Sequence, residues 1–215
     1  TIEKLNIQPT VTLLGLLKYF KYNEWYALAE FVDNSITSYL QNKRKLLSLD
    51  KNYKLKIRIE FDGGEITIKD NAGGIDSKRY KYAFQTGEPP PDISRLSEFG
   101  VGMKVAACWF SEKWKVHSKS CNENFWRLVE FDIRKINEKK IAELDVTKHT
   151  VKSTAHYTII SLARLNHKPT SRTIGKIMEH LSSMYRHYIN SDEIEIWLDN
   201  YKLSYSGPEI LKSSY

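Results

Sequence analysis

The chain has 215 residues, with 33 Lys or Arg against 26 Asp or Glu, a formal net charge of +7, 41% hydrophobic and 27% charged residues. Its 13 Tyr, 8 Phe and 5 Trp exclude intrinsic disorder. Its two cysteines, Cys108 and Cys121, exclude a disulfide scaffold, and no apolar run approaches the roughly 20 residues that a membrane helix needs. The first ten residues lack the charged start and apolar run of a signal peptide, so a cytoplasmic, reducing compartment is expected. With Thr1 in place of an initiator Met, the chain is expected to be a processed or excised piece of a longer protein, its N-terminal part. With no repeat and no Gly/Ser-rich linker, residues 1–215 read as a single domain.

Residues 11–21 predict a short helix carrying Leu13, Leu14, Leu16 and Leu17. A longer helix is predicted from Trp25 to Lys45, because Trp25, Leu28, Val32, Ile36 and Tyr39 form one apolar stripe. Glu30, Asp33, Asn34 and Thr37 lie on its opposite side. Leu55, Ile57, Ile59 and Phe61 alternate with cations over residues 54–61, which predicts a half-buried strand. Asp62-Gly63-Gly64 is a turn signal before a second strand over 65–70. By parity, Asp70 shares the inner face with Ile66 and Ile68. Helices are expected over 76–84, over a segment ending at Phe110 and over 172–188, and strands over 113–119, 125–133, 139–147 and 155–162. A last hairpin, 193–198 with 201–205, turns at Asp199-Asn200. The order implies an α+β two-layer sandwich, a mixed but mostly antiparallel sheet with helices on one face.

Three segments carry residue types suited to chemistry. In Ala29–Ser35, Glu30 and Asn34 stand one helical turn apart on one face. A carboxylate there can activate water, and an amide oxygen can hold a hard cation. In Ile68–Ile75, the inward Asp70 requires a hydrogen-bonding partner, and a ligand's amine or amidine edge would serve, with Gly73 and Gly74 admitting a flat ligand close to the backbone. In Phe99–Lys104, Gly100 and Gly102 precede an apolar helix, where free amides and Lys104 suit phosphate. Taken singly, each also reads as a solvated face, an ordinary turn and a flexible helix start. The six His form no ligand set, and Trp109, Trp114 and Trp126 sit in patterns of core residues.

Taken together, in this order and spacing, the three segments resemble the motifs of the GHKL superfamily: gyrase, the ninety-kilodalton heat-shock chaperones, histidine kinases and MutL. The third segment is similar to that of the MORC-like and chaperone-like branch. The resemblance covers Pro9 to Ser120 well and extends loosely to Tyr205. It implies the Bergerat ATP-binding fold, with ATP and a magnesium ion bound. Glu30 would be the general base that activates water against the γ-phosphate, and Asn34 would ligate the magnesium ion. Asp70 would accept from the adenine amine, with Gly74 and Ile75 beside the base. Gly100, Val101, Gly102, Met103 and Lys104 would line the phosphates, residues 83–99 would form the ATP lid, and Thr158 would support Asp70. Ala72 replaces the first glycine of the second motif, Tyr157 stands where a glycine usually precedes the supporting Thr, and Thr37 occupies a position that is often acidic. Histidine kinases usually carry Asn where this chain has Glu30, so the resemblance favours hydrolysis over phosphotransfer.

The implied function is ATP binding and magnesium-dependent hydrolysis driving conformational change or closure of a homodimer, slow in this chain alone. The alternatives are a nucleotide-gated binding module with little hydrolysis, and a nucleic-acid-binding domain without nucleotide chemistry. Residues 43–58 hold seven cations (Lys43, Arg44, Lys45, Lys51, Lys54, Lys56 and Arg58) against Asp50 alone, so any DNA contact is expected there.

Overall fold

The computed structural model describes residues 12–84 and 102–207. Leu28, Val32 and Ile36 are fully buried and Tyr39 is 1% exposed; their three- and four-residue spacing forms the inner stripe of α2, Glu24–Leu49. The helix thus starts one residue before, and ends four residues after, its predicted bounds. Ahead of it stands a short α1 (Leu13–Leu16) followed by a 3-10 turn (Leu17–Tyr19), and Phe20 is already extended.

Strands β1 (Leu55–Asp62) and β2 (Glu65–Asp70) form a hairpin in which Asp62 faces Glu65. Gly63 and Gly64 turn it with φ of +56° and +91°, left-handed values that a two-residue hairpin needs and that glycine adopts without steric cost. Then come α3 (Ser77–Phe84), α4 (Gly102–Phe110), β3 (Ser111–Lys119), β4 (Phe125–Asp132), α5 (Ile133–Lys139) and β5 (Val146–Thr150). β6 (Tyr157–Leu165), α6 (Ser171–Met184), α7 (Arg186–Asn190), β7 (Ile194–Leu198) and β8 (Tyr201–Lys202) complete the described chain.

All eight strands form one sheet in the order β5-β4-β3-β6-β2-β1-β7-β8. Every pairing is antiparallel except β1 with β7. The inward residues Ile57, Ile59, Ile66, Val116, Leu162 and Ile196 are fully buried beneath a helical layer in which α2 packs against α4 and α6. Burying each such side chain contributes about 1.5–3 kcal/mol. On the opposite face, Lys56, Arg58 and Glu60 are exposed. This is the expected α+β two-layer sandwich with helices on one face.

The expected strand over 139–147 is not formed. Residues 133–139 are helix, because the Asp132 side chain accepts from the Lys135 amide and caps it. Ile133 and Ile136 bury its inner side, and Lys140 ends it in a left-handed conformation. The strand lies later, at Val146–Thr150, and all five residues are exposed at the sheet's edge, so no alternation announces it. The predicted helix over 172–188 breaks at Tyr185, which separates α6 from α7.

Candidate nucleotide site

Asp70 closes β2 on the inner face, as parity requires, and is 6% exposed. Ser35 Oγ, from α2, donates to its Oδ2 at 2.8 Å, and the Ala72 amide donates to Oδ1 at 2.9 Å. Thr158 lies directly opposite in the β2–β6 register. Burial pushes the Asp70 carboxyl up to about 6, while the Ser35, Ala72 and Thr158 hydrogen bonds pull it the other way. Thr158 also reaches Ser118 Oγ, 3.3 Å from its own Oγ1. That Ser118 oxygen accepts from the Ile75 amide at 2.9 Å and donates to the Tyr157 carbonyl at 3.0 Å. Asp70, Ile75 and Thr158 therefore share one polar network across β2, β3 and β6.

Gly74 has φ +68°, and a Cβ on it would lie 2.2 Å from the Lys119 carbonyl oxygen. Its missing side chain admits the end of β3. Ser38 Oγ, on α2, donates to the Gly74 carbonyl at 3.2 Å, and the Cys121 amide donates to the Gly73 carbonyl at 3.0 Å. Ala72 is fully buried, and its carbonyl accepts from His156 Nδ1 at 2.8 Å.

Immediately before Ser35 on α2, the Asn34 Nδ2 donates to the Glu30 carbonyl, one turn earlier, at 2.7 Å, which leaves Asn34 Oδ1 as an acceptor. Tyr22 donates to Glu30 Oε1 at 3.2 Å. A Cβ on Gly102, the first residue of α4, would fall 1.9 Å from Glu30 Oε2, so the carboxylate rests on bare backbone at that helix start. Glu30 and Ser35 are five residues apart on α2, so the Glu30 and Asp70 ends of the site lie about 7.5 Å apart along its axis. Asp33 joins a different group: Tyr185 Oη stands 2.8 Å from Asp33 Oδ1 and 3.1 Å from the Ala29 carbonyl oxygen. Burial raises the Asp33 carboxyl to about 6, with Glu30 adding to the shift and the Tyr185 hydrogen bond opposing it.

Met103 is 8% and Lys104 2% exposed. Burial lowers the Lys104 ammonium to about 8; its side chain sits within the protein rather than on the surface. Gly100, Val101 and residues 85–99 of the expected lid lie outside the described residues.

The residues from Tyr22 to Thr158 match the family model for histidine kinase-, DNA gyrase B- and HSP90-like ATPases. The chain belongs to this family. Two solved structures share its fold: the ATPase region of Saccharomyces cerevisiae topoisomerase II, at TM-score 0.57 and 12% identity, and the ATPase and transducer domains of Balamuthia mandrillaris DNA topoisomerase II, at TM-score 0.57 and 13% identity. Each likeness covers 83% of this chain and 48% of the other, so the chain spans about half the length of these structures. No curated protein matches it. The family match makes this a GHKL-type ATPase domain, and the two structures share its fold.

Three residues of this ATPase domain escaped the sequence reading. Ser35 and Ser118 carried a weak signal: Ser35 ends the first motif, and Ser118 shares the inward parity of Trp114 and Val116. Arg127 is the third, 6% exposed, with Nη1 donating to Glu123 Oε2 at 2.7 Å and to the Ile75 carbonyl at 3.4 Å. Trp109 and Trp114 are core residues at 3% and 1% exposure, whereas Trp126 stacks on His149 with centroids 5.5 Å apart.

Much of the basic segment over 43–58 is matched locally. Lys43 pairs with Glu193 at 2.8 Å and Lys54 with Asp192. Lys45 donates to the Cys121 carbonyl at 2.7 Å, Arg58 lies 4.9 Å from the Trp197 ring centroid, and Lys56 sits beside Glu195 in register. Among the described residues, no helix is long and apolar enough to cross a membrane.

Proposed function

We propose that this domain binds ATP with a magnesium ion and hydrolyses it at Glu30, driving a conformational change or dimer closure in a larger protein. The observation that carries this reading is that α2 holds both ends of one site: Ser35 fixes Asp70, and Glu30, five residues earlier, lies against the start of α4.

In this reading, Asp70 accepts from the adenine amine. Its Oδ2 is oriented by Ser35 and its Oδ1 by Ala72, so both are held before a ligand arrives. Thr158 and Ser118 fix the neighbouring backbone at Ile75. At the other end, Glu30 takes a proton from water as the water oxygen bonds to the γ-phosphorus. The bond from that phosphorus to the β–γ bridging oxygen breaks, and ADP leaves with the electron pair. The amides that open α4 face the phosphates. Lys104, lowered by burial to about 8, is still mostly charged at neutral pH and adds a cation beside those amides.

The magnesium ion fits Asn34. With Nδ2 committed to the Glu30 carbonyl, Oδ1 is a hard oxygen donor of the kind this ion takes. When bound, the ion would neutralise phosphate charge, with phosphate oxygens and water completing its shell. The test is titration with a non-hydrolysable ATP analogue plus magnesium, in wild type and Asp70→Ala. Binding is expected in wild type and weakened in the variant; equal affinity would remove Asp70 from the site.

A further inference from the structure

Residues 17–22, just ahead of α2, form a strap that is tied down more firmly than its short length requires. Trp109, 3% exposed on α4, donates from Nε1 to the Phe20 carbonyl at 3.0 Å. Its ring stacks on His167 at 4.0 Å with 9° between planes. His167 in turn donates from Nε2 to the Lys18 carbonyl at 3.1 Å. Asn166, beside it, donates from Nδ2 to the Cys108 and Trp109 carbonyls at 3.2 and 3.3 Å, which locks the loop after β6 onto the last turn of α4. The Tyr22 ring meets Trp109 edge to face, with centroids 5.8 Å apart. One strap carbonyl and one strap ring are therefore fixed directly to the same α4 whose first residue touches Glu30, and a second strap carbonyl is held by His167, stacked on that helix.

The product of this frame is the place of one hydroxyl. Tyr22 Oη donates to Glu30 Oε1 at 3.2 Å, while Oε2 lies against Gly102. A Glu side chain has three free torsions and loses up to about 2 kcal/mol of rotamer freedom when held still. Glu30 is half-buried, and Tyr22 supplies a donor that selects one carboxylate orientation. Burial, then the nearby Glu30 charge, raise the Tyr22 phenol well above its ordinary range, so it remains protonated and able to donate.

We propose that Tyr22 is a positioning residue for hydrolysis: the strap holds its hydroxyl on Glu30 Oε1 so that Oε2 faces the first residue of α4, where water and the γ-phosphate meet. This rests on the reading of Glu30 as the base. The strap lies outside the three motifs, and Tyr22 touches the carboxylate rather than the nucleotide. Its effect therefore falls on turnover and not on affinity.

The test compares the full chain in wild type, Tyr22→Phe and Glu30→Gln, using single-turnover hydrolysis with enzyme in excess, calorimetric affinity for a non-hydrolysable ATP analogue with magnesium, and thermal melting. Tyr22→Phe keeps the ring on Trp109, so folding should persist. Its turnover should fall roughly ten-fold, the equivalent of one hydrogen bond, with affinity unchanged within two-fold. Turnover equal to wild type in Tyr22→Phe, with Glu30→Gln inactive, overturns the positioning role and leaves the base in place. Full turnover in Glu30→Gln overturns the base itself. If Tyr22→Phe does not fold, Trp109→Phe reads the same link by releasing the Phe20 carbonyl. A drop in turnover at constant affinity supports the proposal, and unchanged turnover overturns it.

Discussion

Ser35 Oγ lies 2.8 Å from Asp70 Oδ2 and thereby joins the middle of α2 to the last residue of β2. That contact fixes how the helix lies over the sheet at the point where both proposed ends of the nucleotide site begin. Removing it leaves a buried carboxylate oxygen short of a partner, which costs about 1–3 kcal/mol. Ser35→Ala is therefore expected to lower the denaturant midpoint and to weaken ATP-analogue binding together. A loss of stability with affinity intact would mean that Asp70 does not meet the ligand.

The buried Asp70 also makes stability depend on pH. Its carboxyl is raised from 3.8 to about 6 in the folded state. A carboxyl raised on folding favours the folded state fully below pH 3.8, and that contribution is lost as pH rises through about 6. Two pKa units correspond to about 3 kcal/mol. Asp70→Asn, which stays neutral, should gain stability relative to wild type between pH 4 and pH 7, as read by melting temperatures across that window. Parallel curves for the two proteins would contradict the raised carboxyl.

Glu30→Gln keeps the side chain's size and removes its basicity. Hydrolysis is expected to fall at least about a hundred-fold, the scale of general-base catalysis, with analogue affinity nearly unchanged. Single-turnover rates and calorimetry decide it.

Gly102→Ala sets two effects against each other. Alanine within a helix is favoured over glycine by up to about 1 kcal/mol, but its Cβ would fall 1.9 Å from Glu30 Oε2. The clash is with the tip of a flexible side chain, so the fold should survive with little change in melting temperature while Glu30 is displaced and turnover is lost. Gly74→Ala is the contrasting case. It meets the Lys119 carbonyl oxygen at 2.2 Å from a residue at φ +68°, and neither can yield cheaply. A stability loss of roughly 2–4 kcal/mol is expected, visible as a large drop in melting temperature.

The fold was legible wherever one face of an element is buried. The alternation of Leu55, Ile57 and Ile59 and the stripe of Leu28, Val32 and Ile36 locate their elements within a few residues. It failed at α5, where a cap by Asp132 and only two buried isoleucines decide the matter, and at β5, where every side chain is exposed. The inward turn of Asp70 was readable from parity alone. Its partner Ser35 was not, because helical spacing does not say which flank of α2 meets the end of β2. Likewise, the motif pattern marks Lys104 as a cation but says nothing of its burial, which depends on how α4 sits against its neighbours.

The parallel pairing of β1 with β7 places Leu55 beside Ile194 and Ile59 beside Leu198. The hairpin that carries Asp70 is thus flanked on one side by a strand whose first paired residue, Ile194, follows its partner Leu55 by 139 residues in the chain. Until Leu198 has been made, β1 presents an open row of amides and carbonyls with Ile57 and Ile59 next to them. A ribosome-bound or truncated chain ending before Ile194 would expose a sticky edge in place of a finished sheet. Cloning boundaries placed upstream of residue 194 should therefore yield aggregates, and boundaries downstream of β8 should yield soluble domain.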